Sequence, residues 1–80
     1  MRIEILGSGC ARCHALEDNA RKAVAGLGRN ADIIDVTDMA TIMAYGVLSM
    51  PALVIDGKVV ASGRILSPGE IANLITTAQG

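Results

Sequence analysis

The pattern of apolar and polar positions predicts seven short elements along the 80 residues. Residues 2–6 alternate as a half-buried strand does, and residues 52–55 form a continuous apolar run typical of a buried strand. Apolar side chains recur at helical spacing over residues 11–27 and again in the last segment, which opens with a capping box of Ser67 and Glu70. The predicted order is βαβαββα, an α/β fold with four strands and three helices.

The middle of the chain carries the remaining strand and a short helix. Residues 32–36 predict the second strand, and Thr37 or Asp38 is placed to cap the helix that follows. That helix carries Met39 and Met43, which we expect to fill gaps in the core.

A hairpin is predicted from Asp56-Gly57, because this dipeptide favours the two-residue turns that join antiparallel strands. Residues 58–61 then form the fourth strand, and residues 62–64 form a loop. The first strand–helix–strand unit implies a parallel pair, so the sheet is expected to be mixed.

Composition and charge indicate an aliphatic core and argue against several classes of binding partner. The chain is 51% hydrophobic but has one Tyr and no Trp or Phe, so the core must be aliphatic, in a sheet covered on both faces. The net charge is −1 with no basic patch, which argues against binding to nucleic acid or to a membrane surface. There is no apolar run of transmembrane length and no signal-peptide core, so we expect a cytoplasmic protein.

The candidate chemistry lies in the only two cysteines, Cys10 and Cys13. They follow the first predicted strand and a loop at residues 7–9, and they open the first predicted helix. Unpaired N–H groups and partial positive charge at a helix start favour a thiolate at Cys10, while Cys13 falls on the buried face with Leu16. A disulfide closing so small a loop stabilises little, which favours redox chemistry or metal binding over a structural role.

These features resemble the small thioredoxin-like, or small redox-active disulfide, proteins of archaea and bacteria. The resemblance covers all 80 residues and includes the cysteine pair, Pro51 opening the third strand and Gly63 after the fourth. It implies one domain over residues 1–80 with a minimal thioredoxin fold. The Trp-Cys-Gly-Pro-Cys signature of standard thioredoxins is absent, since Gly9 replaces the Trp and Ala11-Arg12 replaces Gly-Pro.

The resemblance also implies an activity, that of a thiol–disulfide oxidoreductase acting on protein disulfides. Cys10 is then the nucleophile and Cys13 the resolving thiol. Glu4, six residues before Cys10, corresponds to the acid that relays a proton to the second cysteine in standard thioredoxins. The simpler alternative for Glu4 is a strand residue paired with Arg2, Lys58 or solvent.

The same resemblance implies a substrate platform. The Met50–Pro51 peptide bond is expected to be cis, leaving the Met50 backbone free to pair with a substrate strand, and Gly63 allows a partner to approach closely. No bound cofactor is implied. Electrons would come from a thioredoxin-reductase-type donor, and we expect a monomer.

Four alternatives remain at this stage. Cys-x-x-Cys followed by His14 is also the haem-attachment motif of c-type cytochromes, but these are largely helical and exported. Two thiolates can carry copper or share a zinc site, although a closed zinc site within one chain would need further ligands. A redox-sensing interaction module is the third. A glutaredoxin fits less well, because residues 62–64 lack the glycines and acids that resemble a glutathione site.

Overall fold

The computed structural model describes residues 1–7, 9 and 11–78, without the side chain of Ala78. The elements in this part of the chain are β1 (Arg2–Leu6), α1 (Ala11–Leu27), β2 (Asp32–Val36), α2 (Met39–Ala44), β3 (Ala52–Ile55), β4 (Lys58–Ser62) and α3 (Pro68–Ala78). Their order confirms the predicted fold class, an α/β arrangement of four strands and three helices over the described residues.

The strands form one mixed sheet in the order β2-β1-β3-β4. β1 and β2 run parallel, with Ile5 of β1 beside Asp35 of β2. β3 runs antiparallel to both of its neighbours. The two central strands are therefore β1 and β3, and the chain enters α1 from the carboxyl end of β1.

Helices α1 and α3 cover one face of the sheet. Their apolar stripes meet alternate residues of β1 and β3, as the period-2 pattern of a strand requires. The buried side chains of this layer are Ile3, Ile5, Leu16, Ala20, Ala23, Val24, Leu53, Ile55, Leu66, Ile71 and Ile75. The Asn19 side chain also donates a hydrogen bond to the Leu66 carbonyl, at 2.8 Å, and so ties α1 to the segment before α3.

The short helix α2 covers the other face, over a smaller apolar layer. The buried side chains here are Leu6, Ile42, Ala52 and Val54, with Val36, Tyr45, Val47 and Val59 packed around them. The prediction that Met39 and Met43 fill the core is wrong, because their side chains are 50% and 70% exposed. Since this apolar layer is small, Ile42 and Tyr45 already cover it from α2 and its C-terminal cap.

Local motifs set the element boundaries as predicted. The Asp38 carboxylate caps α2 by accepting a hydrogen bond from the Thr41 N–H at 3.0 Å. In the hairpin turn Asp56 and Gly57 have φ values of +48° and +85°, the left-handed conformation that the tight turn requires. β4 continues through Ser62, one residue beyond the predicted end.

None of the helices in the described ranges combines the length and apolar character needed to cross a membrane.

Candidate active site

Cys13 lies in the first turn of α1, against the carboxyl end of β1. Its side chain is only 6% exposed, because the same helical face continues into the core through Leu16 and Ala20. Gly7 permits this close packing, since a Cβ atom at that position would collide with the Cys13 sulfur. Cys10, the predicted nucleophile, falls outside the described residues, as does Ser8 of the preceding loop.

A cavity of about 40 Å³ opens beside the Cys13 side chain. It lies where β1 ends, α1 begins and β2 gives way to the loop before α2. The residues lining it are Ile5, Gly7, Gly9, Cys13, His14, Asp35 and Thr37. The cavity surface is mainly apolar, and the residues around it include a buried thiol, an imidazole, a carboxyl group and a hydroxyl.

Asp35 was not among the residues singled out from the sequence. In β2 it shares a face with Ile33, which packs against the core, so Asp35 lies on the α1 side of this edge strand, where the residue remains exposed. An acid at an otherwise core-facing position of a strand was the available clue. Its significance depends on α1, which brings Cys13 to the same cavity.

Asp35 and Glu17 form a carboxyl pair across the gap between β2 and α1. The pKa of Asp35 is raised by the hydrogen bond with Glu17, then by burial and by the negative charge of Glu17. His14 and Arg21 oppose this shift. The pKa of Glu17 is lowered, chiefly by its hydrogen bond from Arg21, whose guanidinium lies 2.8 Å away, and then by Asp35. On acidification Asp35 therefore takes up a proton before Glu17, which stays ionised to lower pH.

Arg12 joins the first turn of α1 to the loop after β4. Its guanidinium donates a hydrogen bond to the Gly63 carbonyl at 3.2 Å, and the Gly63 N–H donates to the Pro51 carbonyl at 2.8 Å. Gly63 has φ +72°, and a Cβ there would lie 2.8 Å from the Ser49 Cβ. The Met50–Pro51 peptide bond is cis, with Pro51 buried and Met50 partly exposed. Three of the predicted site residues thus meet beside α1.

Glu4 lies on the opposite face of the sheet from α1. It is buried, with 5% of its surface exposed, on the side where Leu6 faces α2. The Tyr45 hydroxyl donates a hydrogen bond to it at 2.5 Å, and the Arg2 guanidinium lies 3.7 Å from its other oxygen. The pairing with Arg2 is the one that the simpler alternative anticipated, and the proton-relay role of Glu4 stays a prediction.

The described residues contain no cluster of three or more His, Cys, Asp or Glu side chains placed to hold a metal ion. Any site formed with Cys10 falls outside this part of the chain.

Comparison with known proteins gives consistent matches over nearly the whole chain. A family model described as a thioredoxin domain matches residues 1–76. The chain is 40% identical over 76 residues to a thioredoxin of Methanothermobacter thermautotrophicus, covering 95% of this chain and 99% of that protein. It is 39% identical over 69 residues to a thioredoxin of Methanocaldococcus jannaschii, covering 86% and 79%.

Solved structures share the fold at lower identity. Thioredoxin 1 of Thermosipho africanus superimposes with a TM-score of 0.67 at 20% identity, over 99% of this chain and 94% of that one. A malarial protein gives a TM-score of 0.69 at 16% identity, over 95% and 93%. With the family model spanning residues 1–76 and curated relatives near 40% identity, this chain belongs to the thioredoxin domain family and is a thioredoxin-like redox protein.

Proposed function

We propose that the protein is a thiol–disulfide oxidoreductase that exchanges electrons with protein disulfides through Cys10 and Cys13. The observation that carries this proposal is the burial of Cys13 in the first turn of α1, three positions after Cys10 in the sequence. Such an arrangement separates an outer thiol, which meets substrate, from an inner thiol, which only its neighbour can reach.

The reaction has two steps. The Cys10 thiolate attacks one sulfur of a substrate disulfide, forming a mixed disulfide and releasing the other substrate sulfur as a thiolate. Cys13 then loses its proton and attacks the Cys10 sulfur, so that the bond to substrate breaks and its electron pair leaves on the second substrate sulfur. The substrate gains two electrons, and the Cys10–Cys13 disulfide holds the oxidised state.

Met50, Pro51 and Gly63 are proposed as the platform for the substrate chain. The partial exposure of Met50 and the hydrogen bond from Gly63 to the Pro51 carbonyl support this role, because they fix an accessible backbone segment close to Arg12. An extended substrate segment would pair with the backbone at Met50 by strand addition.

The proposed electron source is a reductase of the thioredoxin-reductase type, with no cofactor bound to this chain. Cytoplasmic residence and a monomeric state are proposed with it. A proton relay through Glu4 is supported by the burial of its carboxyl group. Its contacts with Tyr45 and Arg2, on the face away from α1, argue against direct transfer to Cys13.

Alkylation of the reduced protein tests the assigned thiol roles. Near neutral pH we expect Cys10 to be labelled at least about tenfold faster than Cys13. A helix start favours the reactive thiolate, whereas burial keeps the reagent away from Cys13. Peptide mass spectrometry after short exposures measures both rates. Equal rates, or faster labelling of Cys13, would show that the roles are wrongly assigned.

Two serine variants separate turnover from binding. Cys13→Ser should accumulate mixed disulfides with substrate proteins, whereas Cys10→Ser, the matched control, should accumulate few. The metal content of the reduced wild type is measured on the same sample. Stoichiometric copper or zinc without disulfide exchange would support the metal-carrier alternative instead.

A further inference from the structure

We propose that Asp35 accepts the proton of Cys13 during the resolution step, through a water molecule in the cavity that both side chains line. This inference rests on the proposed function, because resolution by Cys13 is the step that it concerns. It assigns a role to a residue on β2, outside the cysteine motif and outside the predicted substrate platform.

The need for a proton acceptor follows from the burial of Cys13. A thiol attacks a disulfide only as its thiolate, and removal from water disfavours the charged form. With 6% of Cys13 exposed, bulk solvent has little access to the sulfur. A base that lines the same cavity as the thiol would remove this obstacle.

The cavity supplies the path. Its volume of about 40 Å³ exceeds the space that one water molecule needs, roughly 10–15 Å³ on the same measure. The cavity surface is mainly apolar, and the lining residues whose side chains can hydrogen-bond to that water are Cys13, Asp35, His14 and Thr37. A carboxylate and a thiol that line one small cavity can exchange a proton through a single bridging water.

The surroundings of Asp35 suit it to this role. From α1 it faces Glu17, His14 and Arg21, and from β1 its neighbour across the sheet is the apolar Ile5. Glu17 raises the pKa of Asp35, while the positive charges of Arg21 and His14 oppose that effect. A raised pKa makes a carboxylate a stronger base, because its basicity moves closer to that of a thiol.

The step balances without any further reactant. The Cys13 proton passes to the cavity water, which gives one of its own protons to the Asp35 carboxylate. The Cys13 sulfur forms the bond to the Cys10 sulfur, and the bond from Cys10 to the substrate sulfur breaks with its electron pair on substrate. Asp35 then returns the proton to solvent or to the departing thiolate.

Stopped-flow kinetics with an aromatic disulfide reagent that releases thionitrobenzoate tests the proposal. Reduced protein should release one thionitrobenzoate as Cys10 forms the mixed disulfide and a second as Cys13 resolves it. In Asp35→Asn we expect the second phase to slow by about 100-fold, the lower end of the range for a positioned proton acceptor. Asp32→Asn, which removes an equal charge elsewhere on β2, should leave both phases unchanged.

The sign of the effect distinguishes this role from a purely electrostatic one. If Asp35 were only a nearby negative charge, its removal would make the Cys13 thiolate easier to form and would accelerate the second phase. An unchanged or faster second phase in Asp35→Asn therefore overturns the proposal. Asp35→Glu, which keeps the carboxylate, should retain most of the rate, and added acetate should partly restore Asp35→Asn but not accelerate the wild type.

The pH profile provides a second readout. In the wild type the rate constant of the second phase should fall at low pH as Asp35 becomes protonated. This acidic limb of the pH profile should be absent in Asp35→Asn. Glu17→Gln should move this limb to lower pH, because it replaces the carboxyl group whose hydrogen bond and charge raise the pKa of Asp35. His14→Gln, which removes the imidazole charge from the cavity, should keep the limb. An identical limb in Asp35→Asn overturns the proposal.

The same traces separate this inference from the proposed function. A wild-type protein that shows no second phase would overturn both. Two normal phases in the wild type together with a normal second phase in Asp35→Asn would overturn only the role of Asp35. Circular dichroism confirms that each variant is folded, and Asp35→Ser replaces Asp35→Asn if the amide disturbs the fold.

Discussion

At the residue scale, Tyr45 shows how one side chain links α2 to the central strand. Its hydroxyl donates to the buried Glu4 carboxylate, which also lies 3.7 Å from the Arg2 guanidinium. The hydrogen bond to Glu4, then burial and the negative charge of Glu4, raise the pKa of Tyr45, while Arg2 opposes the shift. The arrangement gives a buried acid a donor on the face of the sheet away from Cys13.

The titration of Tyr45 is directly measurable, because the chain has one Tyr and no Trp. We expect the tyrosinate absorbance of the folded protein to appear above about pH 10, the ordinary range of the phenol. The stability that this group contributes is fully present below the pKa of the unfolded chain and is lost as the pH rises through the folded pKa. Glu4→Gln should lower the midpoint, and a folded midpoint equal to that in denaturant would contradict the prediction.

At the element scale, α3 depends on a reciprocal cap at its first turn. The Glu70 N–H donates to the Ser67 hydroxyl at 3.1 Å, and the Ser67 N–H donates to the Glu70 carboxylate at 3.0 Å. Arg64 adds an ion pair to the same carboxylate at 3.0 Å. These contacts start the helix at Pro68, which presents Ile71 and Ile75 to the core.

Removing the cap should therefore weaken the whole protein measurably. Ser67→Ala is expected to lower the free energy of unfolding by about 1 kcal/mol, the usual cost of losing a side-chain N-cap. Urea denaturation followed by circular dichroism measures the change. Ser62→Ala, at the exposed end of β4, is the matched control and should stay within about 0.5 kcal/mol of the wild type. Equal effects from the two serines would show that the cap contributes nothing specific.

At the scale of the whole molecule, one sheet separates two aliphatic layers of unequal size. All four residues of β3 are buried, two facing α1 and α3 and two facing α2. Leu53 is fully buried in the larger layer, while Leu48 in the loop before β3 is fully exposed. The candidate active site lies at one end of this sheet, so the core fixes the elements that carry Cys13 and Asp35.

Leu53→Ala should destabilise the protein severely. Truncation of a buried leucine costs about 2–5 kcal/mol, a large part of the roughly 5–15 kcal/mol available to a small domain. We expect a lower urea midpoint with an unchanged slope, as for a loss of packing without a change in the unfolded state. Leu48→Ala removes the same atoms from a solvent-exposed position, and a comparable loss in that variant would contradict the assigned core.

Much of the fold was predictable because its determinants are local. The alternation of residues 2–6, the Asp56-Gly57 turn and the Ser67–Glu70 capping box each act over a few residues of chain, and the structure confirms them. Helical spacing likewise predicted that Cys13 is buried on the core face of α1. Resemblance to thioredoxin-like proteins then supplied the fold that these elements build.

The amino-acid sequence by itself determined the elements, their order and the burial of Cys13 in the first turn of α1. Only the tertiary structure decided which distant residues meet. Arg12 and Gly63 are 51 positions apart and Tyr45 and Glu4 are 41 apart, while Asp35 lines the same cavity as Cys13 only because β2 lies beside β1 under α1. The exposure of Met39 was decided in the same way, by the area of sheet left for α2 to cover. Such contacts depend on strand order and helix placement, which local propensities and periodicity do not encode.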